Sequence, residues 1–182
     1  MGQAVPVPFA IVLVAALLSA VTDIWRFKVH NVVTLPLLIT GLVYHGLVGG
    51  SHGLAASLSG ALFGFGALIT FYVMGGMGGG DVKLMAAIGA WLGIEQTFYV
   101  FIASSLAAGL YAAMLLCVSG KLAETWVNLR VVWLRLGAIG RYLGADDRLE
   151  AQVRQTDRRH RLIPFAAMIA LGVIAALVWA KW

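Results

Sequence analysis

The chain has 182 residues, of which 61% are hydrophobic and only 12% charged, with a formal net charge of +5. Soluble domains carry roughly 25% charged residues, so this composition is that of a polytopic membrane protein. The single cysteine, Cys117, leaves no disulfide framework and no cysteine-based zinc site.

The first eight residues contain no Lys or Arg and so lack the basic start of a signal peptide. The first apolar run, 5–21, is therefore expected to be retained. Crossing the hydrocarbon takes roughly 20 apolar residues, and runs 31–48, 54–74, 97–118 and 162–180 also suffice. Run 82–93 is short, because twelve residues at about 1.5 Å each cover only about 18 Å. It reads either as a re-entrant half-helix or as a crossing whose start lies below the membrane surface. Charge favours the crossing. With six spans, twelve of the thirteen basic residues fall in the loops of one side, and only Lys181 falls on the other. The positive-inside rule makes the crowded side cytoplasmic, with both termini outside. The net charge is thus a topology signal, and no nucleic-acid partner is expected. The expected fold is an all-α helical bundle of about six transmembrane helices, forming one domain over 1–182.

Residues 74–83 read Met-Gly-Gly-Met-Gly-Gly-Gly-Asp-Val-Lys, a glycine-rich break between two apolar runs. Glycine is a poor helix former, so the stretch should loosen the helix and let a backbone approach closely. A mobile loop whose Asp81 merely meets water is the plain alternative. However, Asp23 closes the first run, and the six-span topology puts both aspartates at the cytoplasmic rim. Glycine-rich backbone at that depth must be buried in protein or line a watery cavity. Residues 120–161 form a long cytoplasmic insertion, in which Leu122, Trp126, Leu129, Trp133, Leu136 and Leu143 recur at helical spacing among arginines. That pattern suits an amphipathic helix at the lipid interface, or else a solvated connector.

Two carboxyl groups close together in a partly dry site cannot both ionise cheaply, so one keeps a proton while the other acts as base. Such a pair can activate water for attack on an amide. The serines lack a neighbouring His–carboxylate grouping, and His30, His45, His52 and His160 show no ligand-like spacing, so neither a metal nor a cofactor is expected. Lys83 could act on Asp81 through its charge or extend to the cytoplasm. Gly60 and Gly64, four apart, suit close helix packing. Glu95 falls in an external turn without a role.

Gly78-Gly79-Gly80-Asp81 resembles the Gly-x-Gly-Asp motif of intramembrane aspartyl proteases. The continuation through Val82-Lys83-Leu84 to Trp91-Leu92-Gly93 is similar to the prepilin peptidase family, the type IV leader peptidases (A24 aspartic peptidases). Asp23-Ile24-Trp25-Arg26-Phe27-Lys28-Val29-His30-Asn31 resembles that family's first motif, with Val29-His30 in place of the usual Ile-Pro. Ile163-Pro164-Phe165 resembles its last-span signature. The resemblance implies an aspartyl endopeptidase of the bacterial inner membrane that cleaves the basic leader of prepilins or pseudopilins. Asp23 and Asp81 would be catalytic, while Gly78, Gly80 and Lys83 would serve substrate access. It further implies the short, peptidase-only CpaA/TadV-like branch of Flp/Tad-type pili, without N-methylation. A proton-coupled transporter and a non-catalytic subunit of a pilus or secretion machine are the alternatives from other classes.

Overall fold

A computed structural model of the chain describes residues 7–26, 31–73, 77–119 and 165–179. These form four helices, α1 (Val7–Arg26), α2 (Asn31–Val73), α3 (Gly79–Ser119) and α4 (Phe165–Trp179). No strand occurs among the described residues, so the all-α expectation is borne out. Two of the helices, α2 and α3, are long and apolar enough to cross a membrane. The insertion 120–161, with its expected amphipathic helix, lies outside the described residues, as do Val29 and His30. The chain forms two compact units, Met1–Ala108 with Pro164–Trp182, and Gly109–Ile163. Described residues of the second unit are confined to the final turns of α3.

Both long helices are interrupted by a glycine in the left-handed region, Gly50 (φ 58°) in α2 and Gly93 (φ 74°) in α3. That backbone is strained for any residue with a Cβ, so each glycine divides its helix into two arms. The arms of α2 fold back on each other around the first arm of α3. Asn31, Leu37 and His45 of one arm meet Lys83 and then Trp91, in increasing order. In the other arm Ser57 meets Ala90, Gly60 meets Gly89 and Gly64 meets Met85, in decreasing order. The stripe Ser57, Gly60, Ala61, Gly64 and Leu68 is the buried face of that arm. Its small residues bring the α2 backbone against the carbonyls of Met85 and Gly89, the close packing expected of Gly60 and Gly64.

The first arm of α3 is the centre of the unit. From Asp81 to Trp91 every residue is buried except Lys83. Around it pack Phe9, Val12 and Ala16 of α1, Leu37 and Leu68 of α2, and Ile169 and Val173 of α4. The apolar segment too short to traverse hydrocarbon is therefore enclosed by protein, where length need not match the bilayer. Its far end is capped from both arms of α2. Because Gly93 stops the helix, the last carbonyls lose their intrahelical donors. Ser57 Oγ donates to the Ala90 carbonyl at 2.6 Å, and His45 Nε2 lies 2.9 Å from that of Trp91. The Trp91 indole donates in turn to the Leu37 carbonyl at 2.8 Å, under the stacked ring of Tyr44.

A methyl group on Gly60 or Gly64 would collide with the α3 backbone, whereas one on Gly66 meets nothing within 4 Å. Gly60→Ala and Gly64→Ala are each expected to destabilise the protein by about 1–3 kcal/mol. Thermal unfolding in detergent should then show lowered midpoints for both, and an unchanged or raised one for Gly66→Ala.

Candidate active site

Asp81 stands in the first turn of α3, three residues after Gly78. In that position a carboxyl group can reach back to the amide of the residue that starts the helix, and it favours the positive helix end. The Asp81 carboxyl accepts the Gly78 N–H, while the Asp81 N–H donates to the Gly78 carbonyl at 3.2 Å. This reciprocal bonding explains why the glycine run breaks the helix less than its composition suggests. Gly79 and Gly80 already belong to α3, and only Met77 and Gly78 of the described run stand outside it. Gly79 packs under the ring of Tyr72 from the end of α2.

Asp23 lies one turn from the end of α1, where the helix dipole disfavours a negative charge. The compensation comes from α4. Near the start of that helix the Ala166 N–H donates to Asp23 Oδ2 at 3.3 Å. The amino end of α4 thus sits against the carboxyl end of α1, and the two helices pack along each other. Phe165, the described residue of Ile163-Pro164-Phe165, opens the helix whose second amide meets the aspartate.

Each aspartate is only 8% exposed, and the two carboxyl groups are within electrostatic reach of each other. They arrive from α1 and α3, 58 positions apart in the sequence. Asp81 Oδ1 is buried without a hydrogen-bond partner among the described residues. Of the other candidates, Gly78 is exposed and its Cα faces the Asp81 carboxyl, so an added Cβ would lie 3.3 Å from Oδ2. Gly80 is half-buried in the first turn of α3. Lys83 points away, its Nζ donating to Asn31 Oδ1 at 3.0 Å.

Sequence reasoning passed over two hydroxyl groups. Ser19 lies one turn before Asp23 on the same face of α1, and Thr34 lies one turn into α2. Both are buried, and neither hydroxyl oxygen has a partner among the described residues. The four-residue spacing of Ser19 and Asp23 was the available signal, and it went unread because serine was weighed only as a nucleophile. No grouping of His, Cys, Asp and Glu suited to a metal ion occurs among the described residues.

Fold and site together define an all-helical, membrane-type bundle with two carboxyl groups buried at one end. Residues 10–113 match the model of the type IV leader peptidase family. The chain belongs to that family. It is 38% identical over 96 residues to a prepilin leader peptidase/N-methyltransferase of Aeromonas salmonicida, covering 49% of this chain and 33% of that protein. It is 32% identical over 142 residues to the Bacillus subtilis protein of the same name, covering 76% of this chain and 56% of the relative. The leader peptidase HopD of Salmonella typhimurium is 43% identical over 98 residues, covering 50% of this chain and 62% of HopD. The matched region is about a third of the length of the Aeromonas relative. No solved structure matches the chain.

A buried carboxyl oxygen without a partner, facing a second acid, is a stability cost. Asp81→Asn keeps an acceptor for the Gly78 amide while removing the charge. It is expected to stabilise the fold by relieving the burial of a charge beside a second acid. A raised melting midpoint in detergent is the expected reading. A lowered one would show that the carboxyl group holds the fold together.

Proposed function

We propose that this chain is an aspartyl endopeptidase of the bacterial inner membrane that removes the leader of prepilins or pseudopilins. The observation that carries the reading is the pair of buried carboxyl groups, Asp23 and Asp81, meeting at one end of the bundle from separate helices. Family membership and the named relatives supply the substrate class.

The mechanism follows from two acids sharing one proton. Water lies between them; the ionised carboxylate takes a proton from it as the oxygen attacks the scissile carbonyl. The protonated partner donates its proton to the carbonyl oxygen, giving a neutral tetrahedral diol. Collapse of the diol returns a proton through the pair to the departing amine, leaving a carboxylic acid and a new amino terminus. Burial strengthens each of these transfers by keeping bulk water out. Gly78 and Gly80 leave room for the substrate backbone beside Asp81.

In this reading the arms of α2 and α3, together with α1 and α4, make six crossings with both termini outside. The left-handed turns at Gly50 and Gly93 lie at the outer face. Asp23, Asp81, Asn31 and Lys83 lie at the inner face, the side that the positive-inside rule assigns to the basic loops. The exposed apolar side chains of the second α3 arm, among them Leu106 and Leu110, then face lipid. The proposal places the chain in the Flp/Tad-type branch and covers leader cleavage alone. With a single cysteine, these 182 residues are assigned no methyl transfer.

Purified protein mixed with a prepilin in detergent is expected to shorten it by its leader, seen as a shift on a gel. Asp23→Asn and Asp81→Asn should each lower that rate by roughly 10²–10⁴-fold or more, the usual worth of a general acid or base. Glu95→Gln, at an exposed position, should leave it unchanged. Processing that survives either Asn substitution rejects the dyad. Ala166→Pro removes the N–H that Asp23 accepts, in a first turn where proline is tolerated. It should slow cleavage about tenfold, the worth of one hydrogen bond to a charged group, with helix content retained by circular dichroism. An unchanged rate would show that the amide has no part in holding Asp23.

A further inference from the structure

We propose that Lys83 and Asn31 form a clasp that sets the separation of the two aspartates, with Lys83 a positioning residue that does not touch substrate. The inference rests on the peptidase reading above and deepens it. Lys83 is the one exposed position between Asp81 and Trp91. Two residues along a helix are about 200° around it, so Lys83 and Asp81 occupy different faces. The ammonium group is therefore turned from the carboxyl pair and held by Asn31 Oδ1, 3.0 Å away.

What the clasp joins gives it importance. Asn31 opens α2, eight residues after Asp23, while Lys83 stands two residues after Asp81. The hydrogen bond thus closes a short circuit from Asp23 through the end of α1 and the start of α2 to the first turn of α3. That turn follows Gly78 and itself begins with Gly79 and Gly80, which restrain backbone position poorly. Asp81 has one further local anchor, the Gly78 amide, and Asp23 has the Ala166 amide. Neither of these ties α1 or α2 to the start of α3, and the clasp does.

An exposed hydrogen bond contributes little to stability, because water competes for both partners. Its effect on position is another matter, since a misplacement of about 1 Å can cost roughly a hundredfold in rate. The clasp therefore predicts a large change in kcat beside a small change in melting temperature. A purely structural contact would move the two together, and a substrate contact would move KM.

The test measures prepilin cleavage by Lys83→Met, Asn31→Ala and the double variant, with Lys83→Arg and Asn31→Asp as variants that keep a donor or an acceptor. Hydrogen exchange of the amides at 79–84 is followed in parallel. The expected result is a loss in kcat of about ten- to a hundredfold, equal in both single variants and no larger in the double, with KM unchanged. Exchange at the start of α3 should quicken in the same three proteins, and both measures should recover in Lys83→Arg and Asn31→Asp. Losses that multiply in the double variant, a change confined to KM, or unaltered kcat and exchange each overturn the clasp. If the wild type leaves prepilin intact, the peptidase reading fails. The exchange rates then still decide the clasp, because they need no substrate.

Discussion

The structure depends on enclosing a helix that is too short to stand in lipid. The first arm of α3, 79–92, has about fourteen residues, or about 21 Å at the usual rise, against a hydrocarbon thickness of about 30 Å. Left in lipid, both of its ends would expose unpaired backbone groups to hydrocarbon. Surrounded by α1, α2 and α4, the same ends can be served by other chain segments. Close contact is what makes enclosure effective. Gly60 and Gly64 let α2 rest on the α3 backbone, and Gly172 does the same where α4 meets Ser104 of the second α3 arm. Without a hydrophobic driving force between helices in a bilayer, such small-residue contacts and buried hydrogen bonds hold the bundle.

Much of this was legible because membrane sequences are constrained so narrowly. Run lengths located the helices, including the pause near Gly50, and the charge asymmetry argued that the short run was a real element. Asp23 and Asp81 stood out because a carboxyl group bordering an apolar run is costly and seldom accidental. Gly60 and Gly64 could be read from their spacing. What escaped was every interaction in which a side chain serves a backbone group far away in sequence. Nothing local marks Ser57 as the donor to Ala90, or His45 as the partner of Trp91. Those carbonyls are orphaned only because Gly93 turns left-handed, a fact of backbone conformation. The Ala166 amide was equally invisible, since an N–H carries no residue type. Lys83 was read for its charge, and its geometry gave it a different neighbour.

The two ends of the central arm are built on opposite terms. At the end near Gly93 the freed carbonyls of Ala90 and Trp91 find donors, and Thr97 Oγ1 bonds the carbonyl of Gly93 itself. That end is locked. At the Asp81 end one carboxyl oxygen has no partner among the described residues, a second acid stands within reach, and the preceding backbone is glycine. Ser19 and Thr34, on the helices that flank it, add hydroxyl groups with no partner among the described residues. Natural folds seldom leave several buried polar groups unpaired, because each costs about 1–3 kcal/mol. Polar surplus gathered at one end, beside saturation at the other, is the distribution expected where a polar guest completes the bonding. In the proposed function, a water molecule and an extended peptide backbone bring the donors and acceptors missing from the described residues of this end. The rigidity at the far end suits the role proposed for Asp81, because a carboxyl group with an unpaired oxygen keeps its place best on a helix that is anchored elsewhere.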